Sequence, residues 1–273
     1  MLRRLLLLCG VAVIALGAPA ANALSIIDLT TAGTTITGDD DVVWTNTLLF
    51  GATGTGTFDP FLRVKDENTY DGTPLGVEEG MNTDGDRVYE QLGGGDVHTH
   101  SIQFGDLKIE NIDGKDYYVF TIDFAEPVGN GQEYLTLEEL RIHTVDETAG
   151  GSLTTEAAVI AADGHIELYD LDETQNQTVL LDYTVSNKGN GESDIDFYIP
   201  VDQFAGASDT DYFYTYIKFG NVDEMNGASW QADGSFEELR VLTEGGSAGD
   251  APEPGTIALF GMGIFGLAAY RRK

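Results

Sequence analysis

In DYYVFTIDF, residues 116–124, large apolar side chains return at every second position. Tyr118, Phe120, Ile122 and Phe124 share one face, and Asp123 points to the other. A period of two belongs to a pleated strand, and a chain that repeats it has to pair its strands into sheets. The pattern returns in DIDFYIP, where Ile195, Phe197 and Ile199 alternate with Asp194, Asp196 and Tyr198. In DYFYTYIKFG, Phe213, Ile217 and Phe219 oppose Tyr212, Tyr214, Tyr216 and Lys218. Similar short segments run from Val42 to Leu242, separated by Gly, Asn and Asp, with no long helical stretch between them. Asp113-Gly114, between KIENI and KDYYVF, suits a two-residue hairpin turn because it tolerates positive φ.

Strands without crossover helices pair antiparallel. Residues 24–243 are therefore expected to form an all-β domain, an antiparallel two-sheet sandwich that is jelly-roll-like. The segment from Gly51 to Gly95 holds GATGTGT, DGTPLG, NTDGDR and LGGGD, and reads as long loops with a few short strands.

Charge narrows the partners. From Leu24 to Asp250 the chain carries 9 Lys+Arg against 45 Asp+Glu, a net charge of −36. Such a surface repels nucleic acid and anionic lipid, suits salty water and attracts divalent cations. Patterned aromatic and β-branched residues argue against disorder.

The ends read as transport signals. Residues 1–23 have Arg3 and Arg4, then an apolar core from Leu5 to Leu16, then a small-x-small site at Ala21-Asn22-Ala23. This is the form of a secretory signal peptide, whose helix signal peptidase removes, so that the mature chain begins at Leu24. Cys9 is the single cysteine and lies inside that segment, so disulfide and cysteine-ligand chemistry are not expected. Residues 244–251 read as a flexible linker. In residues 252–273, Pro252-Glu253-Pro254 precedes 16 uncharged residues, Gly255 to Tyr270, and then Arg271, Arg272 and Lys273. A helix of that length covers roughly 24 Å, a short transmembrane helix against a hydrocarbon core of about 30 Å. The terminal cations hold that end in the cytoplasm. The segment is either a plain tail anchor or an address that a protease reads in the extended PEP stretch.

Those three parts in that order closely resemble the PEP-CTERM sorting signal. The resemblance implies that an exosortase cuts at the PEP motif after export in a Gram-negative bacterium. It implies transient membrane insertion, then delivery to the cell surface or the extracellular polysaccharide matrix. From about Thr99 to Leu242 the chain is also similar to β-sandwich domains common among PEP-CTERM proteins, in blocks such as YLTLEELRIHT, DIDFYIPVDQF and GSFEELRV. One departure is visible: Leu239 follows Glu238 where that resemblance leads one to expect Trp.

Several constellations could carry chemistry. Asn82, Asp84 and Asp86 space oxygen ligands two apart, and Asp223, Asn226 and Asp233, with Asn221, form a second oxygen-rich loop. Both are candidate calcium ligands, and both are also ordinary turn residues. The first lacks the EF-hand pattern, with Gly93 where the glutamate is needed. His98 and His100 would share a face on a strand, as a metal pair requires, and would otherwise be surface or structural histidines. His143 and His165 stand alone in the sequence. Glu138-Glu139 and Glu237-Glu238 are adjacent pairs, which face opposite ways on a strand and so do not make a glycosidase pair. Tyr212, Tyr214 and Tyr216 form an aromatic ladder that can stack on sugar rings or pack under a neighbouring segment.

The expectation is a secreted, exosortase-sorted, non-enzymatic protein of the surface or biofilm matrix. It would be structural or adhesive and require no cofactor, with calcium as a tuning ion. The alternative is a lectin-like module for exopolysaccharide; a glycan-degrading enzyme ranks below both.

Overall fold

Ile109–Ile112 and Lys115–Asp123 are two antiparallel strands joined by a two-residue turn. Asp113 and Gly114 take φ of 53° and 89° in that turn. Two successive positive φ values define the hairpin turn whose twist suits the flanking strands, which is why Asp-Gly is used there.

The computed structural model describes residues 25–38, 41–49, 59–65, 76–89, 98–173, 176–186, 193–225, 228–232, 234 and 236–243. The signal segment with Ala21 and Ala23, the linker, and the tail with Pro252, Glu253, Pro254, Arg271, Arg272 and Lys273 lie outside the described residues. Among the described residues no helix is long and apolar enough to cross a membrane.

The strands in chain order are β1 Ser25–Asp28, β2 Thr35–Thr37, β3 Val43–Thr45, β4 Leu62–Val64, β5 Glu78–Met81, β6 Ile102–Gln103, β7 Ile109–Ile112 and β8 Lys115–Asp123. There follow β9 Tyr134–Val145, β10 Ile166–Asp170, β11 Gln177–Asp182, β12 Ile195–Pro200, β13 Tyr212–Phe219, β14 Asn221–Met225, β15 Ala228–Trp230 and β16 Glu237–Val241. A short helix, α1, spans Glu156–Ile160. One sheet runs β1-β11-β9-β13-β5, with β10 also on β9 and β6 also on β13. The other runs β2-β3-β12-β8-β16-β4, with β7 also on β8. The segment 51–95 contributes β4 and β5, both short.

The alternating faces meet where the sequence places them. Tyr118, Phe120, Ile122 and Phe124 join Ile195, Phe197, Ile199, Phe213, Ile217 and Phe219 in one buried cluster. Trp44, Phe197 and Phe120 form one row across β3, β12 and β8, with ring centroids 4.6 Å and 5.0 Å apart. Phe213 of the other sheet closes on Phe120 at 6.0 Å. Each such ring removes about 150–250 Å² from water, so this stack is a main tie between the sheets.

Two features depart from simple alternation. β1 pairs parallel with β11, at the edge of an otherwise antiparallel sheet. β1 comes from the start of the domain and reaches β11 by a long connection, so no hairpin fixes its direction. In β9 the register slips between Lys218↔Glu139 and Phe219↔Leu137, leaving Glu138 as a bulge. The bulge turns Leu135 and Leu137 onto the same core as Leu140 and Ile142, although the two pairs differ in parity. It sits where the neighbour of β9 changes from β11 to β10.

Candidate functional site

The tyrosine ladder occupies the outer face of β13. Tyr212, Tyr214 and Tyr216 stand opposite Val145, His143 and Arg141 of β9. The face is covered. Thr155 caps α1 by accepting from Ala158 N at 3.2 Å, and Val159 packs against Tyr214, Met81 and Val145. The Tyr214 hydroxyl donates to Gly150 O at 2.8 Å and accepts from Leu153 N at 3.1 Å. Tyr216 donates to Glu79, with the Arg141 guanidinium 4.9 Å from its ring centroid. Tyr214 is 0% exposed and Tyr216 6%. On the ladder expected as a sugar-stacking platform, Tyr214 and Tyr216 lie packed under the cap, and Tyr212 is half-buried. Burial pushes the Tyr214 phenol up to about 12. Burial, then Glu79, raises Tyr216 well above the usual phenol range. Both act as neutral, packed side chains. At five residues, α1 is too short to show a helical period, so the cap left no mark in the sequence pattern.

The first candidate calcium loop does not converge. Asn82 is 0% exposed. Its Nδ2 donates to His100 O at 3.2 Å and Phe213 O at 3.0 Å, and its Oδ1 accepts from Thr215 N at 2.6 Å. Asp84 is exposed and accepts from Ser101 N and Oγ at 3.0 Å and 2.6 Å. Asp86 is exposed as well. One amide points inward as a clasp and the carboxylates point outward, so the three oxygens serve different ends. Asp223 lies on β14, and Asn226 and Asp233 lie outside the described residues. Among the described residues no group of three or more His, Cys, Asp or Glu side chains could hold a metal ion.

His98 and His100 precede β6 and are not on a strand, so strand alternation does not set them on a shared face. The isolated histidines instead come together. His143 is buried, with Nδ1 3.2 Å from His165 Nε2 and Nε2 3.3 Å from Glu156 Oε1. Arg141 pairs with the same Glu156 at 2.9 Å. Burial, with His143 alongside, lowers the His165 imidazole from its ordinary value. This group ties α1 to β9. Finding it from sequence required the pairing of β10 with β9, which sets Glu167 opposite His143.

The paired glutamates diverge as adjacency requires. Glu138 accepts from Thr178 at 3.2 Å, and Glu139 pairs with Arg141 and with Lys218. Glu238 pairs with Arg63 on the outer face of β16. Glu237 turns inward with Leu239 and Val241. It belongs to a set of buried acids, Glu78 at 1%, Asp123 at 4%, Glu126 at 3% and Glu237 at 1%, of which alternation in the sequence places Glu237 inward.

The outer face of the other sheet carries a second polar row. Thr121 donates to Asp196 Oδ1 at 2.9 Å, and Arg240 Nη2 donates to Thr121 Oγ1 at 3.4 Å. Beside it a groove of about 310 Å³ is lined by Val43, Thr47, Leu49, Ile112, Tyr117 and Tyr198, among others.

The C-terminal residues 250–273 match the PEP-CTERM protein-sorting motif. The chain carries that motif, which implies export, processing by an exosortase and a surface or extracellular destination. No curated protein and no solved structure matches the chain.

Proposed function

We propose that this chain is a non-enzymatic structural or adhesive protein of the bacterial surface or extracellular matrix. The sorting motif at residues 250–273 carries the reading. In transit, signal peptidase removes residues 1–23 and an exosortase cuts at the PEP motif. The acidic domain, at −36 from Leu24 to Asp250, supports it: such a surface stays soluble and gathers calcium, which bridges carboxylates to anionic polysaccharide. No resident cofactor is needed for that role.

The test has two arms. Replacing Pro252, Glu253 and Pro254 by alanine in the producing organism should strand the chain in the membrane fraction. Unchanged surface yield would remove the sorting premise. The mature protein, mixed with polysaccharide from the same cells, should co-sediment in calcium and separate in chelator. Release of new reducing ends would make it a glycan-degrading enzyme instead. The groove beside Tyr117 and Tyr198 favours a second reading, a lectin-like module, because a tyrosine edge and threonine hydroxyls suit a sugar. Saturable binding abolished by Tyr117→Ala would select it.

A further inference from the structure

Glu78 and Glu237 approach each other from different sheets, Glu78 on β5 and Glu237 on β16. Each is 1% exposed, and they lie within hydrogen-bonding reach. Both carboxyl oxygens of Glu237 are sealed from solvent with no hydrogen-bond donor upon them among the described residues. The other charged groups near enough to act on Glu237 among the described residues are Glu126, just beyond β8, and Asp123, at its end. The cation on the neighbouring strand, Arg63 of β4, is turned to the outer face and engages Glu238.

Two carboxylates cannot both stay ionised at such a place. Either a cation neutralises them or one of them keeps a proton and donates it to the other. Both oxygens of Glu237 are sealed and Arg63 is engaged by Glu238, so the geometry points to the proton. We propose that Glu78 and Glu237 share one proton and form an alkali-releasable latch between the two sheets.

Burial first, and then the Glu78 carboxylate, raise Glu237 well above the ordinary value of 4.5, with Glu126 and Asp123 acting in the same direction. The folded chain thus keeps a proton that the unfolded chain gives up above that value. The stabilisation is complete in acid and is lost as pH climbs toward the folded value. The pair titrates as a unit, so one proton serves both residues.

The test uses the mature protein, wild type and E237Q, in chelator. The glutamine keeps the shape and supplies a permanent donor to Glu78. From about pH 5 to about pH 8 the wild-type Tm should fall by several degrees relative to E237Q. At neutral pH the infrared difference between the two should show a protonated-carboxyl band. Equal pH slopes and no such band would overturn the latch. So would a calcium-induced rise in Tm at about pH 8 confined to the wild type, which would make the pair a cation site. Should E237Q fail to fold, E78Q and the infrared titration of the wild type alone decide the matter. A carboxyl band that persists at neutral pH and vanishes in alkali supports the latch. Its absence at neutral pH overturns it.

Discussion

Asn82 joins three pieces of backbone with one amide: His100 O, Phe213 O and Thr215 N. All of this happens at 0% exposure, where water cannot replace a lost partner. Asn82→Ala should therefore cost about 2–3 kcal/mol, since unsatisfied buried groups cost about 1–3 kcal/mol each and some relax. The check is a shift in denaturant midpoint with an unchanged slope. Asn82→Asp keeps the acceptor but loses both donors and buries a charge. It should be worse than alanine at neutral pH and recover in acid, where the carboxyl regains one O–H donor. Asp84, two residues on, is exposed, and its carboxylate accepts from Ser101 N and Oγ at the surface, so Asp84→Ala should change stability far less. Sequence spacing made these residues look alike. Their difference lies in which of them points into the sandwich, and a loop pattern does not carry that information. For Glu237 the information was present. Glu237 is in phase with Leu239 and Val241, and a charge in phase with core positions announces a buried partner.

At the scale of elements, the β7–β8 hairpin is written in its two turn residues. A Cβ on Gly114 would meet nothing within 4 Å, so the effect of Gly114→Ala is purely one of backbone at φ of 89°. It should cost about 1 kcal/mol, read as a drop in Tm without loss of the folded baseline. The bulge in β9 gives a harsher test. Deleting Glu138 leaves Leu135 and Leu137 out of phase with Leu140 and Ile142, and a one-residue slip turns a whole set of side chains to the wrong face. That deletion should abolish cooperative unfolding, whereas Glu138→Ala should be milder, because it removes the bond from Thr178 and keeps the bulge and the register. The phase break in YLTLEELRI was visible in the sequence as two adjacent glutamates between leucines. The cap on the tyrosine ladder was not. It depends on α1 folding back over β13, a contact between residues far apart in the chain, and neither Tyr214 nor α1 signals the other.

For the whole molecule, two-residue periodicity was enough to give two sheets and the row of rings between them. It could not give the parallel edge, because β1 and β11 are about 150 residues apart and strand direction is not encoded in alternation. The charge, by contrast, is legible without any fold: 9 Lys+Arg against 45 Asp+Glu from Leu24 to Asp250. Like charges on a compact body repel, and unfolding lets them separate. Salt shortens their reach from about 10 Å at 0.1 M to about 3 Å at 1 M. Raising sodium chloride from about 0.05 M to about 0.5 M should thus raise Tm by several degrees. Calcium at equal ionic strength should raise it more, because acidic clusters bind it as well as being screened by it. The sealed Glu78–Glu237 pair sits outside this effect, since buried groups are screened far less than exposed ones. E237Q should gain as much from sodium chloride as the wild type while losing the pH slope that separates them. A Tm that stays flat or falls with salt would mean that paired charges such as Arg63–Glu238 and Arg141–Glu156 outweigh the excess of acid. In that case local pairing, rather than net charge, would set the stability of this surface.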